Sequence, residues 1–440
     1  MLTLASSMAA VAADVNVSGG ELAGILADEK IKKENALKLQ GSIDARDLAA
    51  IEKLPVAIKQ LDLREVKITP LTMPDRSLFG RTLFSEGEIP AYTFFKSGVE
   101  SLMLPAATTA ICEGAFAASA LKEIELPAGV TSIGSYAFYG CTDLRSVDLS
   151  KTSVTELPPY VFAGCVNLES VKLPATVVRV GREAFSHTAV KSLTLDRIES
   201  FEPYALSGMP YLEELVINPY AEIGDGLLMD NVSLLSLTGV PEAIPDYFAT
   251  NCSTLPAETM AGGSVVGRYS FANTAAADEL ILPASVSRIE RGALAGLSSL
   301  KHIDATALEG NLPAVDATTF EGLSQSDIDL WVTDDSFDLW KSDPVWGLFN
   351  VVANSQTSVD EIPGAEADAI SIRFRGASLL VEAATAVADV RIYTPDGRVA
   401  YVASPGEPRV EIAADLLPAG ILIVAATDAE GNAKTATLLH

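Results

Sequence analysis

The sequence predicts a mainly β protein: a solenoid of about 11 coils of 20–26 residues, with a small helical cap before it and an Ig-like β-sandwich after it. Three observations predict this fold class. A segment in the first half of the chain contains two similar copies of one pattern. A large apolar residue recurs at matching spacing on both sides of this segment, and the last ~70 residues consist of short runs in which apolar and polar residues alternate. Self-similarity at a nearly fixed period is the signature of a repeat architecture.

The repeat is clearest in residues 121–174. There LKEIELPAGVTSIGSYAFYGC is followed by TDLRSVDLSKTSVTELPPYVFAGC and VNLESVKLP, so Phe138 and Phe162 hold the same place in two copies. An apolar residue stands five positions before each such anchor, as at Ile133, Leu157 and Ala243. Extending the phase gives anchors, which we expect to fill the centres of successive coils, at Phe94, Phe116, Phe138, Phe162, Phe185, Leu206, Leu228, Phe248, Phe271, Leu294 and Phe320.

The pattern L-x-x-I-x-L-P, a short spacer, I-G-x-x-A-F and x-x-C runs from Leu121 to Cys141. It resembles the BspA-like leucine-rich repeats of bacterial surface proteins, and the agreement extends from about Ile89 to Leu330. Residues 252–263 are degenerate, so we expect an irregular coil there. The resemblance implies non-catalytic recognition or adhesion, with a protein of the host matrix or of another bacterium's surface as partner.

Alternation within each repeat places Val147 and Leu149 inside and Ser146 and Asp148 outside, because successive strand side chains point to opposite faces. Glycine stands four positions before several anchors, as at Gly134, where we expect a side chain to collide with a neighbouring coil. The outward positions form two rows, each predicted to run as one line across the sheet, and together they are the candidate recognition surface. The rows are Met103, Glu125, Asp148, Lys172, Thr194 and Val216, and Ser101, Glu123, Ser146, Ser170, Ser192 and Glu214.

The N-terminal residues predict export followed by a cap. Residues 1–13 are apolar and rich in small residues, and we interpret them as the remnant of a secretory signal, with mature protein from about Asp14. No later run reaches the ~18 apolar residues of a membrane helix, so we expect an exported protein that is either secreted or associated with the cell surface or outer membrane. Residues 14–70 predict a helix over 21–35, a second helix capped by Asp44, and a first repeat strand near Leu61.

The solenoid proper is predicted for residues 71–326 and a closing cap for 327–353. All three tryptophans, Trp331, Trp340 and Trp346, lie in that closing segment. Large rings can cover the exposed last coil. The alternative is an aromatic platform for a sugar ring, which would make the protein a glycan-binding accessory.

Residues 354–368 predict a linker, because they are polar, contain Pro363-Gly364 and lack periodicity. Residues 369–440 contain seven alternating runs and predict a small β-sandwich. Through IYTPDGRV at 392–399 and LLPAGILIV at 416–424, this tail resembles the C-terminal sorting or anchoring domains of Bacteroidetes secreted proteins. The chain ends KTATLLH where those domains usually end in a basic stretch, so a plain sandwich module stays open as the alternative.

The net charge of −27 argues against nucleic acids and anionic membranes as partners. We expect a monomer without cofactors. The three histidines, His187, His302 and His440, have no spacing that builds a catalytic triad, so no enzyme is predicted. Six aspartates near the closing cap, which lack the spacing of a calcium loop, predict a solvated face and no metal site. They are Asp327, Asp329, Asp334, Asp335, Asp338 and Asp343.

The cysteines occupy repeat positions. Cys141 and Cys165 hold the same place in adjacent copies, Cys252 lies one residue away from it, and Cys112 takes the glycine position before Phe116. We predict four small buried residues. A bridge between Cys141 and Cys165 is geometrically allowed, because stacked positions lie ~5 Å apart. The function alternatives are a protein-binding surface, a glycan-binding accessory, and an architectural spacer that presents the C-terminal module.

Overall fold

The structure, a computed structural model, describes residues 13–76, 78–255, 263–274, 278–353, 370–375, 378–393, 399–413, 416–417, 421–430 and 433–439. The chain divides into two compact units, Met1–Thr357 and Ser358–His440. The first unit is a solenoid of stacked β-coils with few helices, so the predicted mainly β fold class is confirmed.

Two strands and two short helices begin the first unit: Ala13–Val17, Leu22–Ile25, Ala36–Ile43 and Ala45–Ala50, with 3-10 turns at Ile31–Lys33 and Ile51–Lys53. Asp44 caps the second helix as predicted. Its side chain accepts a hydrogen bond from the backbone of Arg46, and Asp47 completes a capping box. The buried Asp47 carboxylate also accepts the backbone N–H groups of Gly20 and Leu22, at 2.7 and 2.9 Å, and so fixes the first helix against the second.

The helix predicted over residues 21–35 is wrong in its length. Only Leu22–Ile25 is α-helical. Leu22 and Leu26 are buried, but residues 28–33 offer a single apolar side chain, Ile31, and cannot continue an amphipathic face. The unpredicted strand Ala13–Val17 pairs in parallel with Ala36–Ile43 and forms the edge of the first sheet. Residues 1–12, which hold most of the predicted signal remnant, lie outside the described residues.

In the described part of the solenoid, short strands of successive coils lie on one side, called the strand face below, and pair in parallel within three sheets. The first strand sheet contains Ala13–Val17, Ala36–Ile43, Gln60–Ile68, Ser101–Met103, Glu123–Glu125, Ser146–Asp148 and Ser170–Lys172. The second strand sheet contains Ser192–Leu195, Glu214–Ile217 and Ser236–Thr238, and the third contains Glu279–Ile281, His302–Asp304, Asp329–Val332 and Asn350–Ala353.

Two other sides complete each coil. The second side carries two-residue strands in three parallel ladders: Glu88–Ile89, Ala110–Ile111 and Ser132–Ile133; Glu156–Leu157, Arg179–Val180, Ser200–Phe201 and Glu222–Ile223; and Ala243–Ile244, Val265–Val266 and Arg288–Ile289. On the turn side, backbone groups of one coil bond the next, as from Phe94 N–H to the Ala115 carbonyl at 2.7 Å. Leu71–Thr72 and Leu83–Phe84 form a separate antiparallel pair, and 3-10 turns lie at Thr306–Leu308 and Gln325–Asp327.

The anchors lie in the centre of the solenoid. All eight phenylalanine anchors are buried, with at most 3% of the surface of any one exposed. From Phe94 to Phe185 consecutive ring centroids are 5.4, 5.1, 5.6 and 5.7 Å apart, and the first three pairs are stacked. The rings therefore form a continuous column, called the ring column below, through the five coils whose anchors are Phe94 to Phe185.

One anchor has a different offset from its inner strand. Ala243, the apolar residue five positions before Phe248, is exposed, and the next residue, Ile244, is buried opposite Val266. The coil has lost one residue between its inner strand and Phe248, so the inward residue stands four positions before the anchor. The irregular coil expected at 252–263 falls mainly on residues 256–262, which lie outside the described residues.

The closing cap covers the last coils with aromatic side chains. A 3-10 turn at Asp334–Ser336, a helix at Phe337–Ser342 and a 3-10 turn at Trp346–Leu348 connect the last two strands of the third strand sheet. Trp340 and Trp346 are fully buried, and the Trp346 indole donates to the Pro313 carbonyl at 3.1 Å. A sugar platform that uses these two side chains is therefore wrong, because both rings are covered by protein.

Among its described residues, the second unit has six strands: Ile370–Arg375, Ser378–Tyr393, Val399–Ala403, Glu407–Ala413, Ile421–Asp428 and Ala433–Leu439. The prediction of seven is wrong, because two of the runs form one strand of 16 residues. Its first half pairs with Ile370–Arg375 and Glu407–Ala413, and its second half pairs with Val399–Ala403 and Ile421–Asp428. The arrangement, with Leu379, Val390 and Val424 in its core, is compatible with a β-sandwich.

Candidate recognition surface

The twelve residues of the predicted recognition surface all lie on strands of the strand face, and none of them is buried. In the first strand sheet, Glu123, Ser146 and Ser170 pair across consecutive coils, and so do Glu125, Asp148 and Lys172. Ser101 pairs with Glu123, and Met103 lies opposite Asp62 in the preceding coil. In the second strand sheet, Ser192 pairs with Glu214 and Thr194 with Val216.

The two rows are interrupted, so the prediction of single lines across the sheet is wrong. Ser170–Lys172 and Ser192–Leu195 belong to different sheets. Among the described strands, the first outward position falls seven to nine residues after the anchor, and Phe162 to Phe185 is the first step at which this distance shortens, from eight to seven. The break in backbone pairing therefore coincides with a connection that is one residue shorter.

Ion pairs between successive coils neutralise much of the charge on the first strand sheet. Lys151 lies 2.5 Å from Glu125, and Lys172 lies 3.5 Å from Asp148. The hydroxyl of Ser150 chiefly lowers the pKa of Asp148, and the Lys172 ammonium contributes less. This part of the strand face is therefore close to neutral, although the whole chain carries −27.

Open cavities adjoin the rows at both ends of the strands. One of about 550 Å³ lies at the carboxyl ends and is lined by Met103 and Glu125, with Arg64 and Lys151 at its rim and Leu104 and Pro127 among its apolar residues. At the amino ends, a cavity of about 390 Å³ includes Glu123 and Ser146, and one of about 490 Å³ includes Ser192 and Tyr211. A partner that contacts the rows can thus place side chains in concave sites beside them.

Both rows extend beyond the residues predicted from the sequence. The third strand sheet continues both rows with Glu279, His302, Asp329 and Asn350, and with Ile281, Asp304, Trp331 and Val352. The signal was available: ELILP at 279–283 has the same phase as SLMLP at 101–105.

The model of the BspA type leucine rich repeat region matches six copies, at residues 87–213 and 264–337. These residues build most of the strand face and the ring column. Residues 87–213 and 264–337 are BspA-type leucine-rich repeats. The resemblance to this family that the sequence predicted is therefore confirmed for these residues.

Solved leucine-rich repeat structures are similar to the chain at low identity. A leucine-rich repeat protein from Bacteroides ovatus is 19% identical, covers 77% of this chain and 91% of its own, and gives a TM-score of 0.48. The pneumococcal vaccine antigen PcpA is 17% identical, with coverages of 74% and 81% and a TM-score of 0.38. A leucine rich cell surface protein from Faecalibacterium prausnitzii is 17% identical, with coverages of 69% and 76% and a TM-score of 0.29. No curated protein matches the chain.

Three of the four cysteines, Cys141, Cys165 and Cys252, are buried and unbridged. The thiols of Cys141, Cys165 and Cys252 donate to the carbonyls of Phe116, Phe138 and Leu228 in the preceding coils, each at 3.0 Å. Burial raises the pKa of Cys252 to about 12. These thiols therefore act as small buried donors between coils, and the bridge that the spacing allowed is absent from the structure.

Cys112 is a correction to the prediction of four buried apolar cysteines. It is only partly buried, and its thiol donates to the Glu88 carboxylate at 3.1 Å, while Arg81 forms an ion pair with the same carboxylate. Burial, followed by the hydrogen bond to Glu88, raises the pKa of Cys112 to about 12. The thiol is part of a polar cluster that joins the second side to the inserted antiparallel pair.

The remaining chemistry-bearing residues do not converge. His187 is exposed, and its ring contacts only the neighbouring Ser186 hydroxyl among its described polar contacts, at 2.8 Å. His440 lies outside the described residues. Within the described part of the chain, no group of three or more His, Cys, Asp or Glu side chains could hold a metal ion, and no helix is long and apolar enough to cross a membrane. Of the six aspartates near the closing cap, Asp343 accepts two backbone N–H groups of the last 3-10 turn, and all but Asp329 and Asp343 are exposed.

Proposed function

We propose that this protein is an exported cell-surface protein whose strand face recognises another protein, without catalysis. The observation that carries the proposal is the strand face itself: outward side chains of varied size and charge follow one another coil by coil, with open cavities at both ends of the strands. Such an extended surface suits protein recognition, since it offers many contact points. The BspA-type repeats favour the same role in interaction or adhesion.

The finer parts of the proposal concern location and partner. Residues 1–13 have the composition of a secretory signal remnant, and the C-terminal unit would direct sorting or attachment at the surface. The partner would be a protein of the host matrix or of another bacterium's surface, bound by a monomer. Glycan binding has lost its strongest sequence support, because Trp340 and Trp346 are buried.

A binding screen tests the proposal. The full chain is immobilised and exposed to purified extracellular matrix proteins, to bacterial surface proteins and to a glycan array. Binding to at least one protein is expected, and Lys172→Glu should weaken it. Arg179→Glu is the matched control, because Arg179 is also an exposed cation but lies on the second side. Equal loss with both variants, glycan binding alone, or silence throughout would contradict the proposal, and silence would favour an architectural spacer.

A further inference from the structure

The outward face of the third strand sheet differs from the rest of the strand face. One row holds Ile281, Asp304, Trp331 and Val352 on consecutive strands, and the other holds Glu279, His302, Asp329 and Asn350. Ile281 is 47% exposed, and Trp331 is partly exposed although the other two tryptophans are buried. Apolar and acidic side chains therefore share one surface here.

The carboxylates of this surface are arranged differently from those of the first strand sheet. Asp304 accepts the backbone N–H and the hydroxyl of Thr306, at 2.9 and 2.6 Å. Asp329 accepts the Asn350 amide at 2.7 Å and lies 3.4 Å from the His302 ring, which is charged only when protonated. Neither carboxylate has an ion pair with Lys or Arg among the described residues. Glu125 and Asp148 of the first strand sheet, in contrast, are paired with lysines.

The nearby ammonium group of Lys301 does not neutralise the charge of these carboxylates. Lys301 lies beside the sheet but binds Asp278, with 2.9 Å between ammonium and carboxylate. The eight outward positions of the two rows contain three carboxylates and no Lys or Arg. The surface is thus negative at neutral pH, and its apolar contacts lie next to the negative charge.

We infer that this surface, Ile281, Asp304, Asp329 and Trp331 on the third strand sheet, binds a basic segment of a partner protein in which Lys or Arg alternates with apolar residues. The cationic side chains would bind Asp304 and Asp329, and an apolar side chain would rest on Ile281 and Trp331. Complementary charge both speeds the encounter and selects the partner. The inference rests on the proposed function and adds to it the binding sheet and the chemistry of the partner.

Synthetic peptides test the inference on the full chain. The probe is a labelled peptide of alternating Lys and Leu, and the comparison peptides carry Glu or Ser in place of Lys. Fluorescence anisotropy gives Kd at two salt concentrations. We expect the Lys peptide alone to bind, and the Asp304→Asn/Asp329→Asn variant to weaken binding about tenfold or more, since charge-assisted hydrogen bonds are lost. Ile281→Ser, an exposed change that leaves the core intact, should weaken it severalfold.

The matched control is Glu125→Gln/Asp148→Asn, which removes two carboxylates from the same rows in the first strand sheet. Its effect should stay within about twofold, because both carboxylates are already paired with lysines. Equal weakening by both double variants, or equal binding of the Glu peptide, would overturn the inference.

The two sets of variants distinguish a failure of this inference from a failure of the proposed function. A protein partner from the screen that is lost with Lys172→Glu but kept in Asp304→Asn/Asp329→Asn would overturn this inference and leave the proposed function intact. A partner lost in Asp304→Asn/Asp329→Asn would support both.

Discussion

The residue with the most consequential contacts in the ring column is Phe138. Its ring centroid lies 5.1 Å from that of Phe116 and 5.6 Å from that of Phe162, and the side chain is fully buried. Spacing alone could predict this, because a coil of this size has room for one large apolar side chain at its centre. Spacing could not predict the partners of Cys112, because the residues that contact it, Arg81 and Glu88, lie outside the repeat pattern or at its edge.

Phe138→Ala should lower the free energy of unfolding by ~3–5 kcal/mol, because it leaves a cavity between two stacked rings. Tyr139→Ala is the control: its side chain is 46% exposed on the adjacent position. Chemical denaturation of both variants measures the difference. Equal destabilisation by the two substitutions would contradict the stacked core.

The cluster of Glu88, Arg81 and Cys112 predicts a dependence of stability on pH. Burial alone would raise the pKa of Glu88, but the hydrogen bonds from Arg81 and Cys112 outweigh it and leave the pKa lowered. A carboxyl whose folded pKa is lowered contributes stability above its unfolded pKa of about 4.3, and this contribution is lost as pH falls through the folded value.

Glu88→Gln should therefore cost ~1–3 kcal/mol at pH 7, and the difference from the natural chain should shrink below about pH 4. Glu86→Gln, which removes an exposed carboxylate 3.1 Å from Lys67, should cost less than about 1 kcal/mol. Denaturation midpoints measured across pH 3 to 7 give both values. A constant difference between Glu88→Gln and the natural chain would rule out this coupling.

At the scale of elements, turn chemistry decided which predictions held. The strands Ser378–Tyr393 and Val399–Ala403 flank Pro395-Asp396-Gly397 in the sequence, a combination typical of a turn, although these three residues lie outside the described part of the chain. Residues 384–386, Ala-Thr-Ala, contain no turn former, and the strand continues through them. The N-terminal helix was predicted too long because residues 28–33 contain only one apolar side chain, Ile31, and cannot continue its buried face.

Gly134 sets how closely two coils can approach. A Cβ added there would lie 2.5 Å from the backbone nitrogen of Glu113 in the preceding coil. Gly134→Ala should destabilise the solenoid by ~1–3 kcal/mol, because the backbone must shift to admit a methyl group. Gly24→Ala is the control, since nothing lies within 4 Å of the added atom. Thermal unfolding of the two variants measures the difference, and an unchanged Tm for Gly134→Ala would contradict the close approach.

At the scale of the whole molecule, the order of the parts followed from the sequence because a repeat needs covered ends. The first coil has no upstream neighbour and the last has no downstream one, so each end of the apolar column requires other residues to exclude water. Two features of the strand face were not predicted. The break in pairing coincides with a one-residue difference between coils. The rows of the third strand sheet lie beyond the degenerate repeat, so the spacing of the anchors has to be extended across that repeat to find them.

Trp346→Ala should loosen the end of the solenoid without unfolding its beginning. The ring packs against Phe320, Trp340 and Phe349, with centroids 5.1–5.9 Å away. A loss of ~3–5 kcal/mol at this end should speed amide hydrogen exchange in Asp329–Val332 and Asn350–Ala353. Exchange in Glu123–Glu125 should not change in Trp346→Ala. The control is Leu348→Ala, whose side chain is 55% exposed and which should leave exchange unchanged in all these strands. Uniform acceleration along the chain would show that the solenoid unfolds as one unit.

The break between Ser170–Lys172 and Ser192–Leu195 has a mechanical consequence. Across it the second side still pairs Arg179 with Ser200, and the turn side has one described backbone hydrogen bond, from His187 to Gly208, where the preceding junction has three. Tension along the solenoid axis would concentrate on these few bonds, and the coils would part first on the side where the strands are unpaired. A pulling force along the solenoid would therefore open it readily at this junction.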